Sequence, residues 1–101
     1  MYTYTDEQLK EWKEKYGENN VFEVAVDDKR CVLHKPTRQN ISYALAASSG
    51  GKDAVKMQEA LLGGCWIDGD AEIKTDDACF FAVSAQIEGM MEVKQAELKK
   101  L

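Results

Sequence analysis

Polar and apolar positions alternate with two distinct periods along this chain. From Val21 to Asp27, Phe22, Val24 and Val26 fall on one side, while Glu23 and Asp27 share the other with Val21 and Ala25. That period of two predicts a half-buried strand. Asp27-Asp28-Lys29 is turn material. Extended character resumes from Arg30 to Lys35, with Cys31 and Leu33 on one face and Val32 and His34 on the other. The two runs predict a β-hairpin.

Helical spacing brackets the hairpin. Thr5-Asp6-Glu7-Gln8 has the form of a capping box, and Leu9, Trp12 and Tyr16 follow on one side before Gly17 supplies a stop. Pro36 ends the second strand and Thr37 is placed to cap a new helix, in which Ile41, Ala44, Leu45 and Ser48 recur until Gly50-Gly51. A further helix is expected from about Asp53, with Ala54, Met57, Ala60 and Leu61 on one face and Gly63-Gly64 as its stop. Cys65-Trp66-Ile67 reads as a short apolar element and Asp68-Gly69-Asp70 as a turn.

The last helix is expected to start at Asp76 or Asp77 and to run to the end of the sequence. Phe80, Ser84, Ile87, Met91, Lys94, Leu98 and Leu101 are spaced alternately four and three apart, a heptad-like seam. A helix over 76–101 would extend ~39 Å and outreach a globule about 34 Å across.

The predicted order is α-β-β-α-α-α: a small single α+β domain, a β-hairpin packed with three to four helices. Residues 1–19 read as a helical appendage and 20–101 as the main domain. The expected core is Phe22, Val24, Val26, Cys31, Leu33, Ile41, Leu45, Leu61, Trp66, Phe80 and Ile87, the apolar positions that match the period of their element.

Composition narrows what such a domain can do. With 101 residues there is material for one core and little for a second domain or a deep cofactor cavity. The balance of 13 basic against 18 acidic residues, a net charge of -5, disfavours a nucleic acid partner, whose phosphates that field would repel. The longest apolar run, Ala78 to Val83, is far short of the roughly 20 residues of a membrane span. Asp6, Glu7 and Glu11 near the start are unlike a secretory leader or transit peptide. Cys31, Cys65 and Cys79 are odd in number and sit among apolar neighbours, so they read as buried, unpaired thiols in a reducing compartment.

Three constellations invite a chemical reading and fail it. Ser48-Ser49-Gly50-Gly51-Lys52-Asp53 resembles part of a phosphate loop, but Ala46 stands at the first Gly position and Asp53 follows the lysine. Asp68, Asp70 and Glu72 suit the start of a calcium loop, but Ile73 replaces the obligatory Gly and Cys79 the closing Glu. His34 is the sole histidine and has no acid or thiol at a ligand spacing. No nucleophile elbow accompanies it. No cofactor, metal site or catalytic set is therefore expected, and the chain reads as a non-enzyme.

Several of these elements together resemble a known family. The hairpin with Phe22-Glu23-Val24 and Cys31-Val32-Leu33, the Leu33-His34-Lys35-Pro36-Thr37 junction, an Ala-rich helix, a leucine-ended helix, Cys65-Trp66-Ile67-Asp68-Gly69-Asp70 and a long final helix are similar to the small tail assembly chaperones of long-tailed bacteriophages and prophages. The resemblance covers roughly residues 20–101. It implies a cytoplasmic protein in a bacterial host that binds the tape measure protein, keeps its apolar helices soluble and delivers it to tail tube subunits. The family also often makes a longer product by frameshifting. A homodimeric prophage or host adaptor without chaperone activity is the alternative.

On either reading the candidate partner-binding residues are Met90, Met91, Val93, Leu98 and Leu101 on the last helix, together with Trp12 and Tyr16. Methionines give adaptable apolar contact, as Met57, Met90 and Met91 would, and amphipathic aromatics anchor interfaces.

Overall fold

A computed structural model describes residues 2–91 and 95–101. The elements are α1 (Asp6–Tyr16), β1 (Val21–Val26), β2 (Lys29–His34), α2 (Arg38–Ala47), α3 (Ala54–Cys65), β3 (Trp66–Gly69), α4 (Glu72–Thr75) and α5 (Asp77–Met90). The fold is a small α+β domain around a three-stranded antiparallel sheet of order β1-β2-β3.

The helix starts follow the local chemistry of the sequence. Thr5 closes a full capping box: the Gln8 N–H donates to its hydroxyl and its own N–H donates to the Gln8 side chain. Thr37 does the same with Asn40 for α2. Asp53 and Asp76 accept the Lys56 and Cys79 N–H groups at the starts of α3 and α5. Each side chain satisfies a donor that the first helical turn leaves without a partner. In the hairpin Phe22 pairs with Leu33, Val24 with Cys31 and Val26 with Lys29, and Asp27 takes up φ +54 at the turn.

One sheet face carries the core. Cys31 and Leu33 are buried there with Leu62, Cys65, Ile73, Cys79, Phe80, Val83, Ile87 and Met90, and Phe22, Val24, Val26, Leu61 and Trp66 pack against this cluster. The opposite face belongs to α1 and the segment before it. The Tyr16 ring stacks on His34 at 4.6 Å, and the Tyr4 hydroxyl donates to Glu23. The Tyr2 N–H donates to Asp70, which also accepts the Arg30 N–H.

Four expectations from the sequence are corrected. First, Gly63-Gly64 does not stop α3, which runs through to Cys65. Packing overrides their poor helix propensity: the missing side chain of Gly64 lets α2 approach, since a Cβ there would lie 3.1 Å from the Asn40 amide nitrogen.

Second, Trp66–Gly69 is a third strand, antiparallel to β2 and irregular between Val32 and Leu33. The Asp68-Gly69-Asp70 turn is therefore partly sheet. Gly69, at φ +155, lies so close to β2 that a Cβ would come within 2.6 Å of the Cys31 Cα. A four-residue helix, α4, follows this strand.

Third, α5 ends at Met90 and Met91 is extended, so the helix over 76–101 is not formed. Phe80, Ser84 and Ile87 do face the core, but residues 95–101 are neither helix nor strand. Lys94 of the seam lies outside the described residues. Residues 95–101, with two leucines among Gln95, Glu97, Lys99 and Lys100, have too little apolar surface to offset the entropy of ordering a helix there.

Fourth, Leu45 is 39% exposed and Ile41 only half-buried, because α2 packs on α3 outside the main core. Ala44 is the residue of α2 whose apolar side chain is fully buried, and Leu62 takes the central place expected of Leu61.

Candidate partner-binding surface

The sequence-predicted partner residues do not form one surface. Met90 is 5% exposed and belongs to the core cluster, so it offers nothing to a partner. Met91, the next residue, is exposed. Val93 lies outside the described residues. Leu98 and Leu101 have their whole side chains in water. Trp12 and Tyr16 are half-buried: the Trp12 ring sits 5.5 Å from Tyr4, and Tyr16 covers His34. Tyr16 thus holds the end of α1 to the sheet, and Trp12 packs on Tyr4, whose hydroxyl reaches Glu23 of β1.

His34 is occupied as well. Its Nδ1 lies 2.9 Å from the Lys35 carbonyl oxygen and its Nε2 2.8 Å from that of Gly64. The ring joins β2 to the end of α3 beneath the stacked Tyr16. Because a carbonyl oxygen only accepts, a neutral ring can donate to one of the two and a doubly protonated ring to both.

The acidic turn is spent on the main chain. Asp68 accepts the Gly69 N–H, and Asp70 accepts those of Arg30 and Tyr2, which holds its carboxyl below the usual carboxylate range. The Tyr2 phenol beside this turn is pushed up to about 12, first by burial and then by the Asp68 carboxylate. Ser48 is buried in the α2–α3 turn, where its hydroxyl donates to the Ala44 carbonyl at 2.6 Å and accepts the Gly51 N–H. Gly50 and Gly51, at φ +74 and +89, supply the left-handed backbone that this turn requires.

All three cysteines are buried and unbridged, as the sequence suggested. Burial pushes the Cys31 and Cys65 thiols up to about 11, and a hydrogen bond to Asp76 raises that of Cys79. Neutral thiols of this kind are poor nucleophiles and poor metal ligands at neutral pH. Among the described residues no three His, Cys, Asp or Glu side chains gather as a metal site, and no described helix is long and apolar enough to cross a membrane.

One surface with exposed apolar side chains lies between α3 and α5, and Tyr43, 67% exposed on α2, marks another. Val55, Glu59 and Gly63 recur every four residues along α3 and so share one stripe. With Leu62, Lys74, Asp77, Phe80 and Phe81 they line two adjoining hollows of 160 and 140 Å³. Phe81 is 47% and Val55 44% exposed. Phe80 and Phe81 meet edge to face at 5.1 Å, one ring in the core and one outside it. Two carboxylates, Glu59 and Asp77, rim the groove against one cation, Lys74, whose ammonium is drawn to 4.3 Å over the Trp66 ring.

Neither Val55 nor Phe81 was singled out from the sequence. The signal for Phe81 was present: adjacent helical residues point about 100° apart, so once Phe80 faces the core Phe81 must turn away from it. Val55 gave none, because its exposure depends on where α4 and α5 leave α3 uncovered.

Compared with protein-family models, curated sequences and solved structures, the chain gives no match.

Proposed function

We propose that this chain is a non-enzymatic tail assembly chaperone of the kind used by long-tailed bacteriophages and prophages. It would hold apolar helical segments of a tape measure protein in the groove between α3 and α5 and release them to tail tube subunits, in the cytoplasm of a bacterial host. The observation that carries this reading is the groove itself, where Phe81 and Val55 leave a large aromatic and a β-branched side chain half in water. The hairpin and the Leu33-His34-Lys35-Pro36-Thr37 junction support it through their resemblance to that family, while the long final helix of that pattern is replaced by α5 ending at Met90.

An amphipathic helix laid in such a groove would be gripped by apolar contact, with little demand on its sequence. That suits a partner made of many related helical segments. Covering the exposed halves of Phe81 and Val55 is worth ~1 kcal/mol each, since full burial of such a side chain is worth ~1.5–3 kcal/mol.

Co-expression with a tape measure protein tests the reading. The wild-type chain should keep that protein soluble and co-purify with it. Phe81→Asp combined with Val55→Asp should weaken capture by tenfold or more while leaving the thermal midpoint near that of the parent. Capture unaffected by the double substitution, or no capture by the wild-type chain, would refute the proposal.

A further inference from the structure

The groove has a candidate occupant in the chain's own sequence. All seven residues from Gln95 to Leu101 are exposed, and Leu98 and Leu101 are at 101% and 108% of their reference exposure. The chain thus displays two apolar side chains with nothing against them and a groove with two apolar side chains half uncovered. The charges can be paired as well: Lys99 and Lys100 lie between the leucines with Glu97 just before them, and Glu59 and Asp77 rim the groove beside Lys74. Leu98 and Leu101 are three apart, so in a single helical turn they would share one face.

We propose that residues 95–101 of one copy seat in the α3/α5 groove of a second copy, and that the exchange is reciprocal. Leu98 and Leu101 cover Val55 and Phe81, while Lys99 and Lys100 meet Glu59 and Asp77. The tail does not turn back onto the chain's own groove: α5 carries the chain past Phe81 to Met90, about 14 Å further along at 1.5 Å per residue, and Leu98 and Leu101 beyond it are fully exposed. Two copies set antiparallel bring each tail to the other's groove. Such an exchange closes with two-fold symmetry and leaves neither site over. The inference rests on the same groove as the proposed function but not on any tape measure protein.

Light scattering during size exclusion, over a wide range of concentration, reads the outcome on the isolated chain. The wild type should pass from monomer to dimer as concentration rises. Deleting residues 95–101, replacing Leu98 and Leu101 by Asp, or making Phe81→Asp should each raise the dimer dissociation constant at least tenfold with the thermal midpoint retained. The decisive sample mixes the Leu98→Asp/Leu101→Asp chain, whose groove is intact, with the Phe81→Asp chain, whose tail is intact. One exchange of the two can then form, so the mixture should associate more tightly than either variant alone.

A wild-type chain that stays monomeric throughout overturns the inference, as does a dimer indifferent to the deletion or a mixture no tighter than its parts. The two proposals fail separately. Tape measure capture by a chain that never dimerises leaves the function standing without the exchange, and tail-dependent dimers that capture no tape measure protein leave the exchange standing without the function.

Discussion

Two adjacent glycines in α3 provide a stringent test of the packing described above. Both are helical, so both should gain from Ala by the same backbone effect, about 0.5–1 kcal/mol in the last turn of a helix. Their surroundings differ. A Cβ on Gly63 meets nothing within 4 Å, whereas one on Gly64 comes to 3.1 Å from the Asn40 Nδ2. Asn40 has little freedom to retreat, because its Oδ1 accepts the Thr37 N–H and its own N–H donates to the Thr37 hydroxyl in the box that starts α2. Moving it puts at risk a cap worth ~1 kcal/mol.

Gly63→Ala should therefore raise the thermal midpoint by about 2–8 °C, taking ~4–8 °C per kcal/mol for a domain of this size. Gly64→Ala should bring no gain, or a loss of up to about 1 kcal/mol. Thermal unfolding followed by far-ultraviolet circular dichroism, with calorimetry to check two-state behaviour, measures both. Equal stabilisation by the two substitutions would refute the close approach of α2 at Gly64.

The other predictions concern the core, the third strand and alkaline pH. Leu62→Ala should cost ~2–5 kcal/mol in urea unfolding and Leu45→Ala about 1 kcal/mol or less, because Leu62 is 2% exposed and Leu45 lies on the outer part of α2; equal costs would misplace the core. Gly69→Ala should cost ~1–3 kcal/mol, since it combines a φ of +155 with a Cβ only 2.6 Å from the Cys31 Cα; an unchanged urea midpoint would exclude that contact. Cys31 and Cys65 ionise near 9.0 when unfolded but only at about 11 when folded, so stability is whole below pH 9 and falls as pH rises from 9 to 11. Urea melts across that window should show the decline and Cys65→Ala should lessen it, with Cys31 and the Tyr2 phenol keeping the rest, whereas a level profile for the wild type would rule out buried neutral thiols.

Much of this fold can be read locally, and the reason is that its punctuation is local. Thr5, Thr37, Asp53 and Asp76 each cap a helix with a side chain that reaches only three residues forward, and the alternation from Phe22 to Val26 sets which face of β1 turns inward. These relations span a few residues, so the sequence alone settles them. The class, a hairpin with helices, follows from the same short-range patterns.

What the tertiary structure alone decided depends on surfaces far apart in sequence. Gly63-Gly64 stays helical because α2 needs the space at Gly64, and Trp66–Gly69 becomes a strand because β2 offers an open edge. The heptad spacing of residues 80–101 is continuous in sequence, yet its helix ends at Met90, where the core ends. Spacing describes which residues could share a face but not whether anything stands opposite them. The partner surface shows the same division. Leu98 and Leu101 were legible as an apolar line, but the groove of Val55 and Phe81 exists only because α4 and α5 close over α3 incompletely, a matter of three-dimensional coverage that no local pattern encodes.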